Sequence, residues 1–169
     1  LLSACQNAGL NPSPPKPAAT ATTVGAGVFD DYYEERLTLY PLEATLAGDS
    51  RYDDRLPNNL TDSHRYALAA FYRKHLAALR GFDRGKLSAE EQMSSEVLQW
   101  ECEINLKQLQ FPSQLLPINQ FSSLHLDIGQ WAGGTSAQPF KTVRDYENWL
   151  KRWDAFTEWC ATAVARMRE

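Results

Sequence analysis

From Phe29 onward the apolar positions fall into a helical rhythm. Phe29, Tyr33, Leu37, Tyr40 and Ala44 recur at three- and four-residue steps, the spacing of one helix face. Asp30, Asp31, Glu34 and Glu35 crowd the first turns, where negative charge suits the helix dipole. The pattern predicts a first helix over about 28–47. Pro41 lacks an amide hydrogen, which places a kink or break one turn from its end. Gly48 is positioned as its C-terminal cap.

The stretch 48–61, GDSRYDDRLPNNLT, is polar and turn-rich. Asp62 or Ser63 can cap a second helix that carries Leu68, Phe71, Tyr72, Leu76 and Leu79 and ends before Gly81. Ser88 and Glu91 have capping-box spacing and start a third helix. Its expected buried stripe is Met93, Val97, Trp100 and Ile104, and Phe111-Pro112 stops it near Gln110. Residues 111–140 are too apolar for a disordered linker and too interrupted for a regular element, so a long packed loop is expected there. Thr142 and Asp145 form a second capping box. A long last helix follows with Tyr146, Trp149, Trp153, Phe156, Cys160, Val164 and Met167 along one side, still running at Glu169. The fold class predicted is all-α, an irregular bundle of about four main helices with a long irregular loop before the last. The Trp149 and Trp153 stripe is read as core in preference to a ligand platform.

Upstream the pattern changes. Residues 6–27 hold Pro12, Pro14, Pro15 and Pro17 and then little but Ala, Thr, Gly and Val. Such a segment buries too little apolar area to offset its ordering entropy, so it reads as a disordered tether. Before it, Leu2-Ser3-Ala4-Cys5 fits a bacterial lipobox: a branched apolar residue, two small residues, then the cysteine that receives lipid. Residues 1–5 are therefore read as the end of a lipoprotein signal peptide, with Cys5 as the lipidation site and the mature N-terminus. The alternative is an ordinary disordered tail. Two or more acyl chains anchor stably, so the expected partner is a membrane, held through lipid on Cys5. Gln6 in place of Asp suits passage to the outer membrane, facing the periplasm, if the cell is Gram-negative.

Composition narrows the classes further. One hundred and sixty-nine residues, 43% of them hydrophobic, suffice for one domain over 28–169. A net charge of -4 and the absence of a basic stripe exclude nucleic acid as an expected partner. No run of about 18 apolar residues occurs, so the chain has no spanning helix by sequence.

Candidate chemistry is sparse. His64 and His75 share a helix face, but eleven residues at about 1.5 Å per residue separate them by roughly 16 Å, too far for one metal. Both are expected as exposed polar positions. His125 and Asp127 could ligate a metal or orient a proton-transfer group, yet no third partner accompanies them. Gly133-Gly134 has no phosphate-loop pattern around it, and neither a Ser-centred elbow nor an HExxH is present. Cys102 and Cys160 could bridge in an oxidising envelope or sit as half-buried thiols; spacing does not decide. Asn59-Leu60-Thr61 is a formal glycosylation sequon of little use to a bacterial lipoprotein. No catalytic, cofactor-binding or metal-ligating residue is assigned.

YPLEATLAGDSRYDDRLPNNLTD at 40–62, LPINQ at 116–120, PFKTVRDYENWLKRWDAF at 139–156 and the terminal ARMRE together resemble the bacterial domain-of-unknown-function 885 family. Members are often lipoproteins and are considerably longer, with a distal HExxH-type helix resembling zinc metallopeptidases. The resemblance implies that these helices are the N-terminal part of a longer protein, with the missing C-terminal region as partner and zinc held beyond this chain. None of the family's metal ligands falls on a residue here. The chain alone is therefore expected to be inactive, and the competing reading is a noncatalytic envelope module that binds a protein or cell-wall component through the 111–140 loop.

Overall fold

The computed structural model describes residues 26–121, 123–134 and 136–169. Cys5 and nearly all of the predicted tether lie outside them. Six α-helices follow in order: α1 Ala26–Leu39, α2 Pro41–Leu46, α3 Asp62–Arg80, α4 Ala89–Gln108, α5 Leu124–Ala132 and α6 Val143–Arg166. Short 3-10 turns occupy Ser50–Tyr52, Arg84–Lys86 and Ser113–Leu115, and no strand occurs among the described residues. The all-α class holds, with six helices among the described residues instead of about four.

Two changes account for the higher count. Pro41 splits the expected first helix outright, serving as the first residue of α2 while Tyr40 takes a non-helical conformation. Within the expected long loop, Leu124–Ala132 forms α5, nine residues closed by Gly133. Positive φ at Gly134 (72°) then turns the chain away. Gly48 caps α2 with φ of 81°. Its amide donates to Thr45 O and that of Asp49 to Ala44 O, the paired bonds of a Schellman ending.

Both capping boxes form, at Ser88–Glu91 and Thr142–Asp145. For α3 the cap is Thr61 and not Asp62 or Ser63: Thr61 is extended, and its hydroxyl accepts from the His64 amide. Likewise α6 does not run on to Glu169; it ends at Arg166 with Met167 as cap.

Helices α3 and α4 pair most extensively, and α1 lies on α3. Tyr32, Leu68, Phe71, Tyr72, Leu76, Leu79, Leu98 and Cys102 make the main core. Each fully buried large side chain there contributes about 1.5–3 kcal/mol. A second cluster of Leu60, Trp159 and Ala163 joins α6 to the turn before α3, with Phe156 and Cys160 packed against it. The two cysteines thus belong to different clusters, and both are free thiols. Burial pushes the Cys102 thiol up to about 11, which keeps it protonated and unreactive.

The predicted buried stripe of α4 is on the wrong face. Ser95, Leu98 and Cys102 point inward, while Met93, Val97 and Trp100 are 68%, 59% and 65% exposed. Leu98, Cys102 and Leu106 form a second apolar row at four-residue steps, and α3 supplies the surface that selects it. The aromatic side of α6 is similarly displaced. Arg152, Trp159 and Ala163 occupy its buried face, whereas Tyr146 and Trp153 are exposed and Trp149 is half-buried. Trp153 is therefore not core.

Candidate functional site

A cleft of about 390 Å³ opens where the α1–α2 junction, the start of α3 and the end of α4 meet. Its volume falls in the range of small-ligand sites. The break at Pro41 turns Tyr40 toward Tyr72 of α3, and their hydroxyls meet at 2.7 Å. Leu39, Leu56 and Leu68 supply apolar wall, and Leu124 of α5 reaches the same space. Burial raises the Tyr40 phenol well above its usual range, and the Tyr72 hydrogen bond adds to the shift, so it stays neutral.

Polar groups on this wall differ in how far their bonding is already used. Arg36 clamps Glu43 with two bonds of 3.0 Å and reaches Glu101 at 3.1 Å with the same guanidinium. Arg65 donates to Leu109 O at 2.6 Å and Phe111 O at 2.9 Å, closing the C-terminal end of α4. Asn105 donates to Glu101 O at 2.8 Å, and Asn59 Oδ1 accepts from Trp159 Nε1 at 2.8 Å. The sequon asparagine is thus an internal tie between the cleft and α6. His64 lines the cleft, half-buried, and burial lowers its pKa. Its imidazole is accordingly neutral at pH 7.

His75, eleven residues on, is not the exposed position expected. It is 2% exposed, its Nε2 is 2.9 Å from Glu35 of α1, and the rings of Tyr32 and Phe71 stand edge-on to it. Lys74 meets the same carboxylate at 2.5 Å. Partial burial works against ionisation of Glu35, but hydrogen bonds from Lys74 and His75 and their charges outweigh it and hold the carboxyl below its usual range.

His125 and Asp127 are not brought together. Both ride on α5, where two residues turn about 200° around the axis. Asp127 is exposed, and His125 Nδ1 is buried without a hydrogen-bond partner. Among the described residues, no three His, Cys, Asp or Glu side chains converge as a metal site. The described residues therefore offer no donor set for the zinc that the resemblance implies.

Sequence reasoning missed a fully buried and heavily bonded side chain. Arg152 is fully buried and donates to Arg55 O at 3.1 Å, Tyr52 O at 3.0 Å, Thr45 Oγ1 at 2.6 Å and Gln138 Oε1. The Thr45 hydroxyl in turn donates a hydrogen bond to Asp53 Oδ1 at 2.6 Å, so the buried cation reaches the buried carboxylate through one hydroxyl. The guanidinium also lies 5.6 Å from the centre of the Trp131 ring of α5. Burial pulls Arg152 down to about 10 against the opposing influence of Asp53 and Asp54, and it remains charged at pH 7. The signal was present: Arg152 shares a helix face with Trp159 and Ala163, seven and eleven residues on.

Together these features define an all-α domain with a half-open, mostly neutral cleft, braced from behind by a buried arginine network. The chain belongs to a family described as bacterial proteins of unknown function, DUF885, whose model matches residues 41–169. The match starts at the first residue of α2 and includes the whole Arg152 network. No curated protein and no solved structure matches the chain.

Proposed function

We propose that this chain is the N-terminal helical part of a membrane-anchored bacterial envelope lipoprotein resembling zinc-dependent peptidases, and that its helices form one wall of a larger assembly whose chemistry lies elsewhere in the protein. The observation that carries this reading is the apolar surface left open. Met93, Val97 and Trp100 form one row on α4, and Tyr146, Leu150 and Trp153 form another on α6. Phe111, Leu116 and Phe121 are 66%, 73% and 87% exposed between them in sequence. Scattered single apolar residues need no partner, but contiguous rows of this kind mark surfaces that another protein region covers.

Lipidation of Cys5 would place the domain at a membrane with residues 6–27 as a spacer, and the outer membrane facing the periplasm is the expected location in a Gram-negative cell. Zinc, in this reading, is held by a His-Glu-x-x-His helix outside the chain and supplies an activated water. The contribution of these helices is to shape or cover the distal cleft that holds that zinc. The 390 Å³ cleft favours a second reading, a noncatalytic module that binds an envelope partner.

In the intact gene product, mass spectrometry should find lipid on Cys5, and Cys5→Ser should move the protein from the membrane to the soluble fraction. Unchanged membrane retention with no lipid on Cys5 overturns the anchor. The intact product should also bind zinc and hydrolyse peptides in a chelator-sensitive way. An intact product with neither property overturns the peptidase reading and leaves the binding module.

A further inference from the structure

We infer that the outward row of α4 is the seam of a dimer, packed antiparallel against the same row of a second copy of this chain. The proposed function leaves the occupant of that row open, and this assignment needs neither lipid nor zinc.

Spacing carries the first step. Glu90, Met93, Val97, Trp100, Ile104 and Lys107 follow one another at alternating steps of three and four residues. That alternation is the seam of helices packed knobs into holes. The row lies on the side of α4 away from Leu98 and Cys102, which pack on α3. Met93, Val97 and Trp100 are exposed, and Ile104 is half-buried. Helix α4 therefore carries two apolar faces, and α3 uses one of them.

Charge selects the occupant and its direction. The row begins on Glu90 and ends on Lys107, both exposed and neither with an ion-pair partner among the described residues. Each suits the dipole of its own helix, but that preference alone does not put both in line with the apolar row. Parallel packing would bring like charges together at both ends. Antiparallel packing sets Glu90 on Lys107 of the second copy, Met93 on Ile104 and Val97 on Trp100, and the twofold axis repeats every pair. A self-complementary surface of this kind is what a twofold interface requires. Along one flank lie Glu96 and Glu103, which would approach their counterparts. Arg84 and Arg80 already pair with them, so that flank meets as ion pairs instead of bare carboxylates. The row on α6 runs from Val143 to Met167 with no charge at either end, so nothing in it specifies a copy of itself.

At about 1.5 Å per residue the seam is about 26 Å long, shorter than a standard interface needs, so the dimer is weak. Sedimentation velocity of the full chain, with reductant present so that no disulfide links two copies, should show a monomer–dimer equilibrium with a dissociation constant of about 10–100 µM. Val97→Glu, at an exposed position, should leave only monomer across the same concentrations. Glu90→Lys and Lys107→Glu should each weaken association about tenfold, because either one turns both end pairs repulsive. The two swaps combined in one chain should restore it to within about threefold, which a parallel seam or a mere dipole effect would not do. Thermal melts check that each variant folds, and the charge swaps decide the matter if Val97→Glu does not. A chain that stays monomeric at millimolar concentration would overturn the proposal and give the row to another region of the protein. Association undiminished in Val97→Glu, or a double swap no stronger than either single, would overturn it too. Since neither membrane nor metal enters the measurement, its failure leaves the anchor and peptidase reading standing, and theirs leaves the dimer standing.

Discussion

Replacing Arg152 with methionine removes the donors and keeps most of the volume, which makes it the sharpest probe of how this fold is held. In the native protein the guanidinium serves acceptors from α2, from the turn at 50–55 and from the segment before α6. Arg152→Met strands the carbonyls of Tyr52 and Arg55 and the amide oxygen of Gln138, and it leaves the buried carboxylate of Asp53 without its cation. The Gln138 amide nitrogen Nε2 is already buried without a hydrogen-bond partner, so Gln138 has no reserve bond to fall back on. Breaking one partner of a buried charge network costs about 3–5 kcal/mol. Stranded acceptors add about 1 kcal/mol or more each where water does not reach them. A loss of about 4 kcal/mol is the central expectation, a large share of the roughly 5–15 kcal/mol that stabilises a domain.

The assay is urea unfolding followed by helical circular dichroism, with the slope checked so that the midpoint shift reports stability. Asp53→Asn should also destabilise, and the double variant Arg152→Met with Asp53→Asn should be more stable than the sum of the singles by about 1 kcal/mol or more, because the orphaned charge is gone. A cost below about 1 kcal/mol for Arg152→Met, or strict additivity, would refute the reasoning that the network clamps α2 to α6.

Two further substitutions test the helix contacts. Glu35→Gln should cost about 1 kcal/mol at pH 7, mostly through the bond to buried His75, since the exposed Lys74 pair is worth little. Because the folded Glu35 carboxyl lies below its usual range, its contribution is present above the ordinary glutamate value and is lost as pH falls through the folded one. The stability gap between wild type and Glu35→Gln, measured by urea titration, should therefore narrow from pH 7 to pH 3; a gap that widens refutes the assignment. Ser88→Ala removes the hydroxyl that accepts from the Glu91 amide and should destabilise by about 1 kcal/mol in the same assay, with Ser88→Asp restoring most of it.

Backbone chemistry was legible where one residue type has one geometric consequence. Pro41 broke the first helix, Gly48 took the left-handed cap, and both capping boxes formed because serine or threonine three residues before an acid satisfies two amides at once. Faces were harder to read. Helix α4 carries two apolar rows, and only the position of α3 decides which is buried. Helix α5 was hidden by short length and a glycine at 129 inside it. Arg152 and His75 escaped because charged and ionisable types are ordinarily placed outside, and most of their hydrogen-bond partners lie 40 or more residues away in sequence. The cleft was legible only in part: His64 stood out, whereas the Tyr40–Tyr72 pair requires the α1–α2 break to come together.

The distribution of polarity in this domain runs opposite to the usual one along two of its helices. Arg152 is inside α6 while Trp153 beside it is 46% exposed, and Ser95 is inside α4 while Trp100 is 65% exposed. A free-standing helix pair gains nothing from that exchange, since a buried charge network only offsets its desolvation whereas a buried tryptophan contributes outright. The exchange makes physical sense if the two kinds of contact have different tasks. Directional bonds among Arg152, Thr45 and Gln138 fix how α2, the turn at 50–55 and α6 are placed, with little tolerance for alternatives. That frees the large apolar side chains of α4 and α6 to face outward as a preformed, ordered surface. A covering region would then meet rows already in position and bury them without first ordering them, so that the binding energy goes into docking. This division of labour is the physical basis on which the exposed rows would serve the larger assembly proposed above.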